Sequence, residues 1–137
     1  MKYQDMYKLA KNTINPQKLN KHAKIGDVVC VLISSSDHVY VGISLVATCG
    51  LGYCAEQAAI IQMINNGESL IKSILVLDKF DNLFPPCGKC LELMTQINML
   101  NKDAEVYLSE KEIVKISSLM PYDWKVIKDN FLNKRNV

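Results

Sequence analysis

Residues 54–64 read Cys-Ala-Glu-Gln-Ala-Ala-Ile-Ile-Gln-Met-Ile and form the most demanding stretch of the chain. The composition is strongly helical, and Asn66-Gly67 supplies a C-cap. Apolar side chains surround most of the girth, so this helix has to be covered on more than one side. A layered α/β arrangement meets that demand, and the flanking patterns agree with it. Residues 28–33 are an almost wholly apolar, β-branched run, and 39–43 alternate around Tyr40 and Gly42. Ser34-Ser35-Ser36-Asp37 between them carries turn chemistry, which predicts a β-hairpin. Residues 44–53 read as a loop. Residues 74–77 are a short continuous apolar run, the mark of a strand covered on both faces. Pro85-Pro86 opens a second helix on which Cys90, Leu93, Met94 and Ile97 share a face. Residues 106–108 form a further strand, and 113–116 a short fifth one. A weak helical pattern precedes Asn15-Pro16, and a polar helix over 123–132 follows Met120-Pro121. Strand–helix–strand crossovers imply parallel strands with helices on the sheet faces. The expected fold is a single domain over residues 1–137, a three-layer α/β/α sandwich on a mixed sheet of about five strands.

Bulk properties narrow the function classes. The 137 residues are 49% hydrophobic, enough for one sizeable core. Sixteen basic residues against fourteen acidic leave a formal charge of +2, too weak a bias to indicate nucleic acid or an anionic membrane as partner. The opening Met1-Lys2-Tyr3-Gln4-Asp5 is too polar for a secretory core, and no apolar run approaches membrane-spanning length. A cytoplasmic location is expected. In that reducing compartment the five cysteines are more often metal ligands or nucleophiles than disulfides.

The chemistry concentrates in two segments, Cys54-Ala55-Glu56 and Pro86-Cys87-Gly88-Lys89-Cys90. Each opens a predicted helix, where unpaired N–H groups and a partial positive charge favour thiolate over thiol. Three thiolates from two adjacent helix starts fill three corners of a tetrahedron, and an open fourth corner is the pattern of a catalytic zinc. Glu56 stands two residues past a ligand and faces the same space, where a carboxylate suits general base and then general acid work. A Cys-x-x-Cys pair alone also fits a redox couple or half of a structural zinc site. A redox couple has no use for Cys54-Ala55-Glu56, and a structural site needs a fourth ligand from Cys49, His22 or His38, none of which shares a motif with the others. Cys30 lies mid-strand as a small hydrophobe. Cys49 reads as a thiol lining the wall of the site rather than a ligand.

The two segments together resemble the cytidine deaminase family, including its blasticidin S deaminase branch. Ala58-Ala59-Ile60, Val41-Gly42 and Ser118-Leu119-Met120-Pro121 followed by Trp124 extend the likeness, in order, from Val28 to Trp124. The resemblance implies about one zinc per chain on Cys54, Cys87 and Cys90, with Glu56 shuttling protons as water replaces the amine at C4 of a cytosine ring. It further implies that the Ala55 N–H and the Pro86 carbonyl orient the base and its amine. The substrate would be a small nucleoside-like molecule and the protein a homo-oligomer, tetramer or dimer.

Two departures stand out. The family places an Asn and a Glu on the strand before the first cysteine to hold ribose hydroxyls; here Ser44 and Val46 take those places. From these two positions alone, weak discrimination between intact and altered sugars is expected. The family also carries arginines beside the ligands, where this chain has Gln57 and Leu91, with Lys89 as the nearby cation. Deamination of cytidine or deoxycytidine is the leading expectation. Its alternatives are a modified cytosine nucleoside such as blasticidin S, suggested by Val46, and a catalytically silent zinc-binding module, suggested by the missing arginines. Action on polynucleotide is disfavoured by the charge.

Overall fold

The computed structural model describes residues 1–128. The elements run, in order, α1 (Tyr3–Thr13), β1 (Gln17–Asn20), β2 (Ala23–Ser34), β3 (Val39–Ala47), α2 (Ala55–Asn65), β4 (Ile71–Asp78), β5 (Leu83–Phe84), α3 (Gly88–Ile97), β6 (Glu105–Tyr107), β7 (Ile113–Lys115) and α4 (Ile116–Leu119). Residues 124–128 are helical, and the rest of the helix expected over 123–132 lies outside the described residues. No helix among the described residues is long and apolar enough to cross a membrane.

Five strands make the body of the sheet in the order β3-β2-β4-β6-β7, and two short ones bring the total to seven. β1 adds to the edge of β2 ahead of β4, and β5 pairs with two residues at the end of β4. Neither carries a periodic signal: β1 is exposed along its whole length and β5 is two residues long. Only β4 and β6 pair in parallel; every other pairing is antiparallel.

Alternation along the central strands splits the core in two. Cys30, Leu32, Ile74 and Val76 face α2 and α3, joining Ala59, Ile60, Met63 and Met94. Val29, Val31, Ile33, Leu75 and Leu77 face the opposite way and meet Met6 and Ala10 of α1. Three layers result, α1 on one face and α2 with α3 on the other.

Strand direction then fixes where the helices begin. β3 and β4 both run antiparallel to β2 and flank it, so they run parallel to each other. Their C-terminal ends lie at one end of the sheet, and α2 and α3 both start there. The loop after β3 is held by reciprocal backbone bonds between Leu45 and Tyr53, 3.1 and 2.9 Å. β3 therefore continues to Ala47, pairing Leu45 with Ile25 and Val46 with Lys24, where a loop was expected from Ser44. The extension was not evident because its partner residues on β2, Ala23–Ile25, precede that strand's own apolar run.

Gly42 sets how closely α2 approaches the sheet. A Cβ at this position would stand 2.2 Å from the Ala55 carbonyl oxygen and 2.5 Å from the Ala59 nitrogen. Both atoms belong to helix backbone and cannot swing aside. Gly42→Ala is therefore expected to push the first turn of α2 away from β3, at a cost of about 3 kcal/mol, the upper range for overpacking. Chemical denaturation is the measurement. Stability within about 0.5 kcal/mol of wild type would show that the helix start can shift without loss.

Candidate active site

Cys54 is the N-cap residue of α2 and Cys87 that of α3, each in extended backbone conformation. Cys90 lies in the first turn of α3 and Glu56 in the first turn of α2. The Cys54 and Cys87 sulfurs are 3.5 Å apart, and those of Cys87 and Cys90 3.1 Å. With one Glu56 carboxylate oxygen, the three sulfurs form a set whose atoms all lie within 4.8 Å of one another. Cys90 is buried, Cys54 half-buried and Cys87 exposed, so the cluster has one sealed side and one open one.

Local backbone chemistry holds each group. The Cys54 N–H donates to the Gln57 side-chain oxygen at 3.1 Å, in a reciprocal capping box where the Cys54 sulfur takes the Gln57 N–H. The Cys90 and Leu91 N–H groups both donate to the Cys87 carbonyl at 3.0 Å. Glu56, only 4% exposed, accepts the Cys87 N–H on Oε2 at 3.3 Å, which joins the two helix starts directly. Gln57, which reads from sequence as a solvated or interface polar group, is a structural cap of α2. Gln62 is pinned as well, donating to the Val41 carbonyl at 2.6 Å.

The donor chemistry fits a zinc ion. Tetrahedral zinc with sulfur bonds of about 2.3 Å requires sulfurs about 3.8 Å apart, a small expansion of the present triangle. Three soft donors select zinc over hard cations. Burial, followed by the neighbouring Cys87 sulfur, pushes the Cys90 thiol well up, and Cys54 moves the same way for the same reasons. Like charges crowd here, so a bound cation is what makes three thiolates compatible with one another.

Ser44, Ala55, Glu56, Cys54 and Cys87 line a common cavity of about 580 Å³, so the positions read from sequence converge on one space. Pro86 itself is buried, and Pro85 faces the cavity in its stead. The Ser44 hydroxyl oxygen is engaged by the Val28 N–H at 3.0 Å, while Val46 lines the wall and is 51% exposed. Cys49, in left-handed backbone conformation at φ 60°, stands outside the four-donor set, as do His22 and His38. Cys30 is buried in the core. Among the cavity residues that sequence reading passed over are Asp27, Tyr53 and Phe84. Only Asp27 had a local signal, an acidic residue after a glycine at the threshold of an apolar strand.

Charge near the sulfurs comes from Lys89, which lines the cavity, and from the two helix N-termini. The single arginine of the chain, Arg135, lies outside the described residues. Lys125, expected in a solvated tail with Lys128, Lys134 and Arg135, is instead buried against α3. It pairs with Glu92 at 2.7 Å and Asp123 at 3.0 Å, and the Trp124 indole N–H donates to the same Glu92 at 2.6 Å.

Zinc loading should reach about one ion per chain with three sulfurs in its shell, measurable by elemental analysis and X-ray absorption. Cys87→Ser and Cys90→Ser should each lose the metal and lower the melting temperature, because metal-binding energy is then withdrawn from the junction of α2 and α3. A four-sulfur shell would place Cys49 on the metal and overturn the open-site geometry.

The comparisons with known proteins agree with this geometry. No curated protein sequence matches the chain. Cytidine deaminases of known structure share the fold. That of Mycobacterium tuberculosis superposes with a TM-score of 0.71 at 16% identity, over 89% of this chain and 96% of its own. The Burkholderia pseudomallei enzyme gives 0.68 at 20% identity, over 89% and 98%. The Bacillus anthracis enzyme gives 0.70 at 14% identity, over 98% of both. The model of the cytidine and deoxycytidylate deaminase zinc-binding region matches residues 2–104, which contain all three clustered cysteines and Glu56. The chain belongs to this zinc-binding deaminase family.

Proposed function

We propose that this protein hydrolytically deaminates the cytosine ring of a nucleoside, cytidine or deoxycytidine, releasing ammonia and the uracil product. The observation that carries the reading is a buried carboxylate, Glu56, within 4.8 Å of three sulfurs in the floor of a cavity large enough for a nucleoside. Cys54, Cys87 and Cys90 would hold one zinc ion, which would supply the Lewis acidity that lowers the pKa of water towards neutrality. Glu56 performs the proton transfers. Its Oε2 is occupied by the Cys87 N–H, which leaves Oε1 to take one proton from the attacking water and deliver it to the ring nitrogen N3, then to take the second from the resulting C4 hydroxyl and deliver it to the departing amine. The Ala55 N–H, in the first turn of α2, and the Pro86 carbonyl, beside Cys87, are suited to orient the base and its amine. Ser44 keeps its hydroxyl proton available for donation, since its oxygen is the acceptor from Val28.

The partner chemistry is that of a small molecule. A formal charge of +2 is too weak a bias to favour a polynucleotide backbone. Five thiols without a disulfide suit a cytoplasmic setting.

Glu56→Gln should keep zinc and fold yet lose roughly 10² to 10⁴ in turnover, because an amide cannot carry the proton. An ammonia-release assay on cytidine and deoxycytidine, with zinc content measured on the same samples, makes the comparison. Wild-type rates from the amide variant would remove the mechanism at its centre.

The functional form is proposed to be a homo-oligomer, dimer or tetramer, assembled through the outer face of α2. Ile61 is 52% exposed and Ile64 41% exposed, with Leu51 and Tyr53 beside them at the edge of the site. Such a patch is costly to leave in water. Light scattering should give a multiple of 15.4 kDa for the wild type and a smaller species for Ile61→Asp. A wild-type monomer at micromolar concentration would overturn the assembly.

A further inference from the structure

We infer that Asp27 is the residue that holds the sugar of the substrate, accepting a hydroxyl hydrogen on its Oδ1 atom. The inference rests on the nucleoside reading above and supplies what Ser44 and Val46 leave undone.

Three observations converge on it. The first is placement. Along β2 the side chains at 29, 31 and 33 face α1, and regular alternation would send residue 27 the same way. The pairing of β2 with β3 breaks register between Ile25 and Val29, and within that break Gly26 adopts φ +82°. At this irregularity Asp27 and Val28 both line the cavity that Cys54 and Cys87 also line. Bulges that re-aim one side chain recur beside active sites. This one admits only glycine at position 26, because a Cβ there would lie 2.3 Å from the Asn15 carbonyl oxygen in a backbone conformation that side chains rarely adopt.

The second observation is the wiring of the carboxylate. Lys24 at 2.8 Å and Lys79 at 3.6 Å both address Oδ2. Neither lysine lines the cavity. They hold the group from outside, and Lys24, more than Lys79, keeps it ionised. Both printed contacts fall on Oδ2, and Asp27 itself lines the cavity, so a charged acceptor fixed from one side belongs to the wall. The Asp27 main chain is anchored too, its carbonyl accepting the Lys79 N–H at 2.9 Å.

The third is the commitment of the other polar side chains of the wall, Tyr53 and Lys89 apart. Glu56 is turned to the sulfurs and Cys87, Gln57 caps α2, and the Ser44 oxygen is engaged by Val28. Val46 has no polar atom to offer. Asp27 is the remaining acidic acceptor in the lining. A carboxylate oxygen accepts a sugar hydroxyl as a charge-assisted hydrogen bond, the strong class of neutral-to-ion contact. Discrimination against sugars without hydroxyls is then restored, in contrast to what positions 44 and 46 alone suggest.

The test is equilibrium binding by calorimetry to zinc-loaded Glu56→Gln protein, with cytidine and 2′,3′-dideoxycytidine as the two probes. Asp27→Ala added to this background should weaken cytidine at least about tenfold, the lower range for a hydrogen bond to a charged group, and leave dideoxycytidine unchanged. Asp27→Asn, which keeps an accepting oxygen, should fall between. If melting shows that Asp27→Ala does not fold, Asp27→Asn carries the comparison, with cytidine losing more than dideoxycytidine. Equal losses for both probes would mark Asp27 as merely structural, and no loss would make it a bystander; either result overturns the assignment. Ammonia release by the unmodified protein is measured alongside. Turnover with an unchanged Asp27 selectivity ratio sinks the assignment alone. Selective, Asp27-dependent binding without ammonia release upholds it and sinks the deaminase reading. Failure of both nucleosides to bind overturns the assignment whatever the activity.

Discussion

Three thiols and a carboxylate inside 4.8 Å repel one another as soon as they ionise, and the rest of the structure is arranged around that repulsion. The helix N-termini of α2 and α3 direct their free N–H groups and partial positive charge at the cluster, each worth up to about 1 kcal/mol. Gln57 and the Cys87 N–H tie the sulfur-bearing turns to each other and to Glu56. What remains uncompensated is the metal's to neutralise. A metal bound there would be a folding element as well as a chemical one, since it would reinforce the junction of two helix starts that the Cys87 N–H to Glu56 bond already joins.

That junction depends on strand direction more than on any local contact. Because β2 separates β3 from β4 and runs against both, the two following helices start at the same end of the sheet. Gly42 then lets α2 settle against β3 with no side chain between them. Cys30 pairs across to Gly42 on one side and to Val76 on the other, so the sulfur cluster stands at the edge of the most deeply buried part of the sheet. A displacement of either helix start would separate Cys54 from Cys87 and break the Cys87 N–H to Glu56 bond together.

Much of this was legible in the sequence. The apolar girth of α2, the uninterrupted run at 74–77 and the two cysteine segments declared the layers, the crossovers and the cluster, because each is encoded by adjacent residues. β1 and β5 were not legible: Gln17–Asn20 is exposed and aperiodic, and Leu83–Phe84 is too short to carry a period. The extension of β3 through Ser44 to Ala47 depends on pairing with Ala23–Ile25, residues whose own strand character appears only in that pairing. Lys125 looked like a solvated lysine because its partner, Glu92, is distant in sequence and shares no motif with it. Asp27 was hidden for a related reason, since a bulge changes which face a residue occupies and no alternation rule anticipates that.

The two halves of the site consequently come from different kinds of element. The three sulfurs and the Glu56 carboxylate reside on helix starts, where backbone N–H groups hold their spacing. The wall that meets the remainder of a substrate comes from strand ends, from Asp27 and Val28 on β2 and Ser44 to Val46 on β3. A substitution on the strand side leaves the caps of α2 and α3 untouched, so specificity can change without loss of the metal. The glycine bulge beneath Asp27 provides the geometric means for a carboxylate to enter the same cavity from the neighbouring strand.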